Sequence, residues 1–395
     1  MRVAFVAETW LPCTDGVITR LLSTCRELVR AGHVVLVVCP RPQPHAGGSI
    51  EDPRRPAGVQ VRTVPTIGAS FLYGGQRWGL PVPAVSRYLR EFAPDVVHVV
   101  NPVFLGAAGV LAARRQHVPL VASYHTDVAT YAGYYHLGRL RPLIRLVVRW
   151  LHNSAVANLA TSRMGQAELT GHGVDGVELW PRGVDLELFH PGPATPRSQG
   201  HPTALYVGRL APEKGLGKLR GLSEPDSGID LLVVGEGPQS EELRTILGRA
   251  ARFTGVLHGS ALADAYRSAD VFVFPSTTDT LGLVVLEAMA SGLPVVAVES
   301  AASTELLGDC AAARLVPATD PDAITTAAAE LVALRYAEGS VISDTARRFA
   351  HGCTWSEATA SLVECYSRAI REYREATVTV QRRTSRRPAG PAELP

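Results

Sequence analysis

The chain has 395 residues, 46% of them hydrophobic and 19% charged, with a formal net charge of +2 at pH 7. That length exceeds one ordinary domain and fits two, and the composition is that of a globular, core-forming chain. So small a net charge argues against a nucleic-acid binder. Among the basic residues only Lys214 and Lys218 are lysine; the rest are arginine. The six cysteines (Cys13, Cys25, Cys39, Cys310, Cys353 and Cys365) form no Cys-x-x-Cys pair and have no zinc-ligand spacing. The opening MRVAFVAETW lacks a cleavage-site pattern, and no apolar run approaches the roughly 18 to 20 residues of a spanning helix. The expectation is a soluble cytoplasmic protein with free thiols.

In chain order, RVAFVAE predicts a strand. Val17, Ile18, Leu21, Leu22, Cys25, Leu28 and Val29 then recur at helical spacing, with Gly32 as the C-terminal stop. VVLVVC predicts a buried parallel strand, and residues 41–58 an exposed loop rich in Pro, Gly and Arg. VQVRTVP, DVVHVV, PLVASYH, NLATS and VELWPRG continue the strand series. Residues 191–203, rich in Pro and Gly and without periodicity, predict an interdomain linker between an N-terminal domain, 1–190, and a second domain, 204–352. That second domain carries the strands ALYVGRL, DLLVVG, RFTGVLHG, DVFVFPS, PVVAV and ARLVP. The helical pattern of 353–376, with Leu362, Tyr366, Ile370 and Tyr373 on one side, is expected to cross back onto the first domain; 377–395 read as a disordered tail. The fold class is therefore α/β, two doubly wound Rossmann-like domains facing across a cleft, with ligands at strand carboxyl ends.

The most telling stretch is Asp279–Ala297, DTLGLVVLEAMASGLPVVA. Asp279 ends an apolar strand, Gly282 falls at the turn, and Glu287 lies inside the following helix. A helix N-terminus at a sheet's carboxyl edge offers unpaired N–H groups and the positive dipole end, which suit a phosphate. Flanking carboxylates accept hydrogen bonds from sugar or ribose hydroxyls. The stretch reads as a nucleotide-sugar clamp. Departure of a nucleoside diphosphate builds negative charge, and Arg209 and Lys214 in VGRLAPEKGL supply cations suited to meet it. Gly16 in ETWLPCTDGVITRLL stands at a helix start, where a backbone approaches a ligand closely. VVGEGP lacks the third glycine of a dinucleotide fingerprint, so a dehydrogenase is rejected.

His125 in SYHTD follows a strand directly and should stand at the cleft, where an imidazole serves a donor hydroxyl or the reacting centre. His98 in DVVHVV is flanked by apolar residues and reads as a core histidine near the strand end. Arg182 in WPRGVD faces phosphate or pairs with Asp185; both readings stand. With it, Asp127 is kept as an accessory candidate. Residues 139–149, RLRPLIRLVVR, alternate Arg139, Arg141, Arg145 and Arg149 with apolar residues. Such a helix rests on an anionic membrane or packs its apolar face on its own domain, and the sequence leaves both open.

Taken together, ETWLPCTDGV, SYHTD, PRGVD, VGRLAPEKG, FTG, ADVFVFPS and DTLGLVVLEAMASGLPVVA resemble the retaining family-4 glycosyltransferases of GT-B fold, in family order and through about residue 375. The nearest flavour is that of bacterial GDP-mannose-dependent α-mannosyltransferases and sulfoquinovosyltransferase-like enzymes. The resemblance implies that Glu287 binds the nucleotide's ribose and that Asp279, at the first glutamate of the family's Glu-x7-Glu motif, contacts donor-sugar hydroxyls. Arg209 and Lys214 would hold the diphosphate, helped by backbone N–H groups near Gly16 and at Gly282–Leu283, with Leu281 also among the donor-binding residues. His125 matches the family histidine near the anomeric carbon. The implied mechanism is front-face and retaining, with no cofactor and no metal; the nucleotide sugar is the co-substrate. Asp279 is one methylene shorter than the family glutamate, Leu281 replaces the usual Phe, and the helix after Lys214 is short and glycine-containing. These departures bear on donor identity.

The expected partners are a nucleotide-sugar donor, with mannose or glucose the sugar, and a hydroxyl acceptor, a lipid or lipid-linked glycan. Peripheral contact with the inner face of the membrane through 139–149 goes with that acceptor. A natural-product tailoring enzyme with a soluble aglycone is the alternative within the class. A sugar-nucleotide epimerase on the same fold is a rival from another class, but no carboxylates are marked as proton acceptors at a sugar carbon. A non-catalytic nucleotide-sugar sensor is opposed by the intact set of His125, Arg209, Lys214 and Glu287.

Overall fold

Continuous apolar runs become strands of parallel sheets here because such strands are covered on both faces. The computed structural model describes residues 1–13, 15–42, 52–68, 77–125, 141–192, 200–279 and 281–385. In the first half the strands are β1 (Arg2–Ala7), β2 (Val34–Pro40), β3 (Val59–Val64), β4 (Thr66–Gly68), β5 (Arg77–Gly79), β6 (Val96–Val100), β7 (Leu120–Tyr124), β8 (Ala157–Ala160) and β9 (Val177–Leu179). The second half has β10 (Thr203–Val207), β11 (Asp230–Val234), β12 (Ala251–Gly255), β13 (Val271–Phe274), β14 (Val295–Val298) and β15 (Ala313–Val316). The sheet orders are β3-β2-β1-β6-β7-β8-β9 and β12-β11-β10-β13-β14-β15, parallel throughout, with β4 and β5 a separate antiparallel ribbon. Each sheet reverses its winding once, between β1 and β6 and between β10 and β13. Those reversals open the crevices where doubly wound folds bind ligands.

The helices are α1 (Gly16–Arg30), α2 (Ala84–Phe92), α3 (Leu105–Gln116), α4 (Arg141–His152), α5 (Arg163–Gly171), α6 (Ser240–Leu247), α7 (Gly259–Ser268), α8 (Leu283–Ala290), α9 (Ala301–Leu307), α10 (Ala323–Glu338), α11 (Ser340–His351) and α12 (Trp355–Ser385). Both faces of each sheet carry a core. One face of the first sheet packs Phe5, Val37 and Val121 against Ile18 and Leu21 of α1 and against Leu362 and Tyr366 of α12. The other packs Val6 and Val99 against Leu89 of α2 and Val110 of α3. No helix among the described residues is long and apolar enough to cross a membrane.

Two boundaries differ from the sequence reading. Val184 and Phe189 lie in the second half's core, so the chain leaves the first half before residue 190. Gly183 marks the crossing: a Cβ there would fall 2.5 Å from the Trp355 ring, and Val184 N–H donates to the Cys353 carbonyl where the chain returns. The last helix does not stop at 376 but runs to Ser385, so the first nine residues of the expected tail are helical. The short, glycine-containing helix expected after Lys214 is a 3-10 helix, Leu216–Ser223; Gly217 and Gly221 weaken α propensity there. Residues 193–199 of the expected linker, 386–395 of the expected tail, Asp127, and the first two residues of 139–149 lie outside the described residues.

Candidate active site

Two helix N-termini, one from each half, meet across the cleft. α1 begins at Gly16, capped by the Asp15 carboxylate, which accepts the Ile18 N–H at 2.8 Å. A Cβ on Gly16 would lie 3.0 Å from Cδ1 of Leu281, so glycine is what lets the two termini come this close. α8 begins after Gly282, whose left-handed φ of 58° suits glycine. As in any helix, the N–H groups of its first turn have no acceptor within the helix. Both dipoles therefore offer their positive ends to one place.

The cations come from the loop after β10, at the second sheet's winding reversal. Pro212–Lys214 form a 3-10 turn that ends at Gly215, φ 67°. The Thr278 hydroxyl donates to the Glu213 carbonyl at 3.0 Å and ties that turn to the segment between β13 and α8. Lys214 Nζ reaches Oδ2 of Asp279 at 2.6 Å. Oδ1 of Asp279 accepts the N–H groups of Leu281 and Gly282, each at 3.2 Å. Burial works to raise the Asp279 carboxyl, but the Lys214 ammonium and those two amides outweigh it and hold it below its ordinary range. It is a carboxylate at neutral pH. Arg209 Nη2 lies 4.0 Å from Oε1 of Glu213. The Asp15 carboxyl is raised by burial, against which its helix amides and the charges of Arg209 and Lys214 act. That coupling puts the start of α1 within electrostatic reach of both cations.

The two glycines of VVGEGP have a structural task. A Cβ on Gly235 would fall 1.9 Å from the Gly208 carbonyl oxygen, and one on Gly237 would fall 2.2 Å from that of Leu210. They let the loop after β11 lie against the loop that carries Arg209. Leu281 also differs from a ligand contact: its side chain is buried with Leu283, Trp355 and Ala358.

Glu287 sits on the buried face of α8, and its Oε2 accepts the Tyr266 hydroxyl at 2.8 Å. Burial pushes its carboxyl up to about 7, the Tyr266 hydrogen bond opposes this, and the Asp185 charge adds to it. No cation among the described residues neutralises it by an ion pair. It is a carboxyl poised near neutrality that accepts hydroxyl donors.

His125 directly follows β7 on the first half and is buried. Its Nε2 stands 2.8 Å from the Ser123 hydroxyl, and its backbone N–H donates to Oδ1 of Asn101 at 3.3 Å. Burial first, then the charges of Arg20, His98 and His152, drive it well below the ordinary histidine range, so it is neutral. His98 is a core residue, with Nδ1 2.6 Å from the Tyr366 hydroxyl of α12. Arg182 pairs with Glu305 of α9 at 3.5 Å. Asp185 instead accepts the N–H groups of Glu187 and Leu188. Glu305 also accepts the Arg163 N–H at the start of α5, at 2.8 Å, linking the two halves. Arg182 lines a narrow pocket with Phe274, Asp279, Gly282, Ser303 and Leu306.

Sequence reading missed Asp15, Tyr266, Glu305 and Arg20. Asp15 carried a usable signal, an Asp directly before an apolar helical pattern. The other three look like ordinary amphipathic-helix residues, and only tertiary packing gives them partners.

Residues 14–188 match the family model Glycosyltransferase Family 4, and residues 201–333 match Glycosyl transferases group 1. The chain is 38% identical over 379 residues to the GDP-mannose-dependent alpha-mannosyltransferase of Mycolicibacterium smegmatis, covering 94% of this chain and 98% of that one. It is 29% identical over 386 residues to the phosphatidyl-myo-inositol mannosyltransferase of the same organism, covering 93% of each. Among solved structures it is similar to sucrose-phosphate synthase from Thermosynechococcus elongatus, with a TM-score of 0.73 at 21% identity over 93% of this chain and 98% of that one.

Proposed function

The chain belongs to glycosyltransferase family 4, has the GT-B fold and is a hexosyltransferase; on that premise we propose that it transfers mannose, with retention, from GDP-mannose to a hydroxyl of a lipid or lipid-linked glycan. One observation carries the reading: two helix N-termini from opposite halves converge beside Lys214 and Arg209, with Glu287 behind them on α8. Such a place favours a diphosphate whose negative charge grows as the sugar leaves. Arg209, Lys214 and the N–H groups about Gly16 and at Leu283 meet that charge without a metal. Glu287 accepts the ribose hydroxyls. Asp279, oriented by Lys214, receives the sugar hydroxyls, and His125 stands across the cleft by the anomeric carbon. The mannosyltransferase relatives support the donor.

α4 supports the acceptor class. Val148 and Leu151 pack inward, while Leu143 (58% exposed), Leu146 (62%) and Trp150 (44%) form an outward apolar stripe flanked by Arg145 and Arg149. That face has the make-up of a helix lying on an anionic bilayer.

The test is incubation of the purified chain with GDP-mannose and lipid vesicles containing phosphatidylinositol or membrane lipid extract, with and without EDTA. Mass spectrometry should find a hexose added to lipid, and the anomeric C–H coupling should show an α-mannoside. Conversion of the donor without acceptor would point to an epimerase. Binding without turnover on any acceptor would point to a sensor. Loss of activity in EDTA reversed by added metal would overturn the metal-free mechanism.

A further inference from the structure

Arg20 lies one helical turn beyond Gly16 on α1, fully buried, and the reaction outlined above gives it no task. Its guanidinium carbon stands 3.9 Å from the centroid of the Trp180 ring. Nη2 donates to the Trp180 carbonyl at 2.8 Å and to that of Pro181. Among the described residues no carboxylate pairs with it, and Nε and Nη1 meet no acceptor. A buried cation without a counter-ion is costly, and packing alone is served as well by an apolar residue of similar volume.

Trp180 is a hub. Its indole N–H donates to the Ala358 carbonyl of α12 at 3.1 Å. The His98 ring lies 5.5 Å from it, and the His125 ring stands edge-on at 5.7 Å and 80°. The residues that follow Trp180 carry Arg182 toward Glu305 and the pocket at Asp279.

We propose that Arg20 is a positioning residue for sugar transfer: by clamping Trp180 and Pro181 from α1 it fixes the wall against which the His125 ring is set. This rests on the reading of His125 as the group beside the anomeric carbon.

The clamp also has an electrostatic side. Among the described residues, the groups about His125 include the Ser123 hydroxyl of β7, the Asn101 amide at the end of β6 and the Trp180 ring after β9. The charges that act on it are Arg20 of α1, His98 of β6 and His152 of α4. Burial pushes His98 down to about 3 and His152 to about 4, so both are neutral where Arg20, lowered by burial to about 9, is still charged. Arg20 is thus a standing charge that helps keep a proton off His125.

The experiment compares full-length Arg20→Met and Arg20→Lys with the parent. In Arg20→Met the His125 ring, followed by nitrogen-labelled histidine NMR, should titrate about one pH unit higher. The acid limb of kcat, measured at saturating donor, should move in the same direction. kcat should fall on the order of tenfold to a hundredfold, with donor KM changed less than about twofold, since Arg20 does not touch the donor. Arg20→Lys should keep the parental His125 titration while losing kcat. If Arg20→Met does not fold, the Lys variant and Trp180→Phe carry the test, the latter keeping the charge while moving the wall. A folded Arg20→Met with parental titration, pH profile and kcat overturns the proposal. His125→Ala at full rate would instead remove the reading of His125, and the NMR titration would still report whether Arg20 governs that ring.

Discussion

Replacing Glu287 by Gln should erase a pH dependence of nucleotide affinity. Burial puts the Glu287 carboxyl at about 7, with the Tyr266 hydroxyl opposing and the Asp185 charge adding to the rise. Only the ionised form offers every oxygen lone pair to ribose hydroxyls. At about pH 8 it is mostly ionised, and losing its charged hydrogen bonds costs about 1.5–3 kcal/mol, or roughly 10- to 150-fold in affinity. At about pH 5, two units below its pKa, about 1% is ionised. The advantage of Glu over Gln then shrinks by up to about 100-fold, equivalent to about 2.7 kcal/mol. The assay is isothermal titration with GDP on both proteins between pH 5 and 8.5. The diphosphate itself titrates in this range, so the ratio of the two affinities is the readout, and that contribution cancels. The ratio should be large at pH 8 and approach one at pH 5. A ratio that stays constant would show either that Glu287 does not change protonation there or that the ribose does not sit on it.

Four other outcomes follow from the same geometry. Lys214→Met should lower kcat by about 100-fold or more and let the Asp279 carboxyl rise; steady-state turnover at the parental rate would contradict the phosphate role. Gly16→Val should weaken GDP binding by roughly 5- to 150-fold, because overpacking against Leu281 costs about 1–3 kcal/mol; calorimetry reads it directly. His98 and His152 are neutral in the fold but titrate near 6.5 when unfolded, so the stability they contribute is lost as pH falls below about 6.5. At pH 5 the loss is about 2 kcal/mol for each, and Glu287, protonated first in the fold, returns about 2 kcal/mol. Melting temperature should therefore fall less between pH 7 and 5 in His98→Phe than in the parent. Finally, Leu143→Asp with Leu146→Asp should release the chain from anionic vesicles in a flotation assay without changing GDP binding.

The strands were legible because parallel strands buried on both faces must be continuous apolar runs, as VVLVVC and VFVF are. The site was legible at the second winding reversal, where strand, glycine and helix follow in sequence and Asp279 and Glu287 bracket one helix start. The chain's crossing between halves was not. The Pro- and Gly-rich stretch at 191–203 drew the boundary, whereas Gly183 against Trp355 makes the crossing, a contact between residues far apart in sequence. The end of α12 was missed because TVTVQRRTS has no apolar period, although its polar residues continue a helix already started. Arg20 shows the sharpest limit. An arginine in an amphipathic helix reads as solvated, and only the arrival of Trp180 and α12 on that face buries it.

A crystal structure of the chain with GDP-mannose is the most direct test of the central claim. The diphosphate should lie between the N-termini of α1 and α8, touching Arg209 and Lys214, with the ribose hydroxyls on Glu287 and the sugar directed toward His125. A nucleotide bound anywhere else, or a ribose away from Glu287, would contradict it.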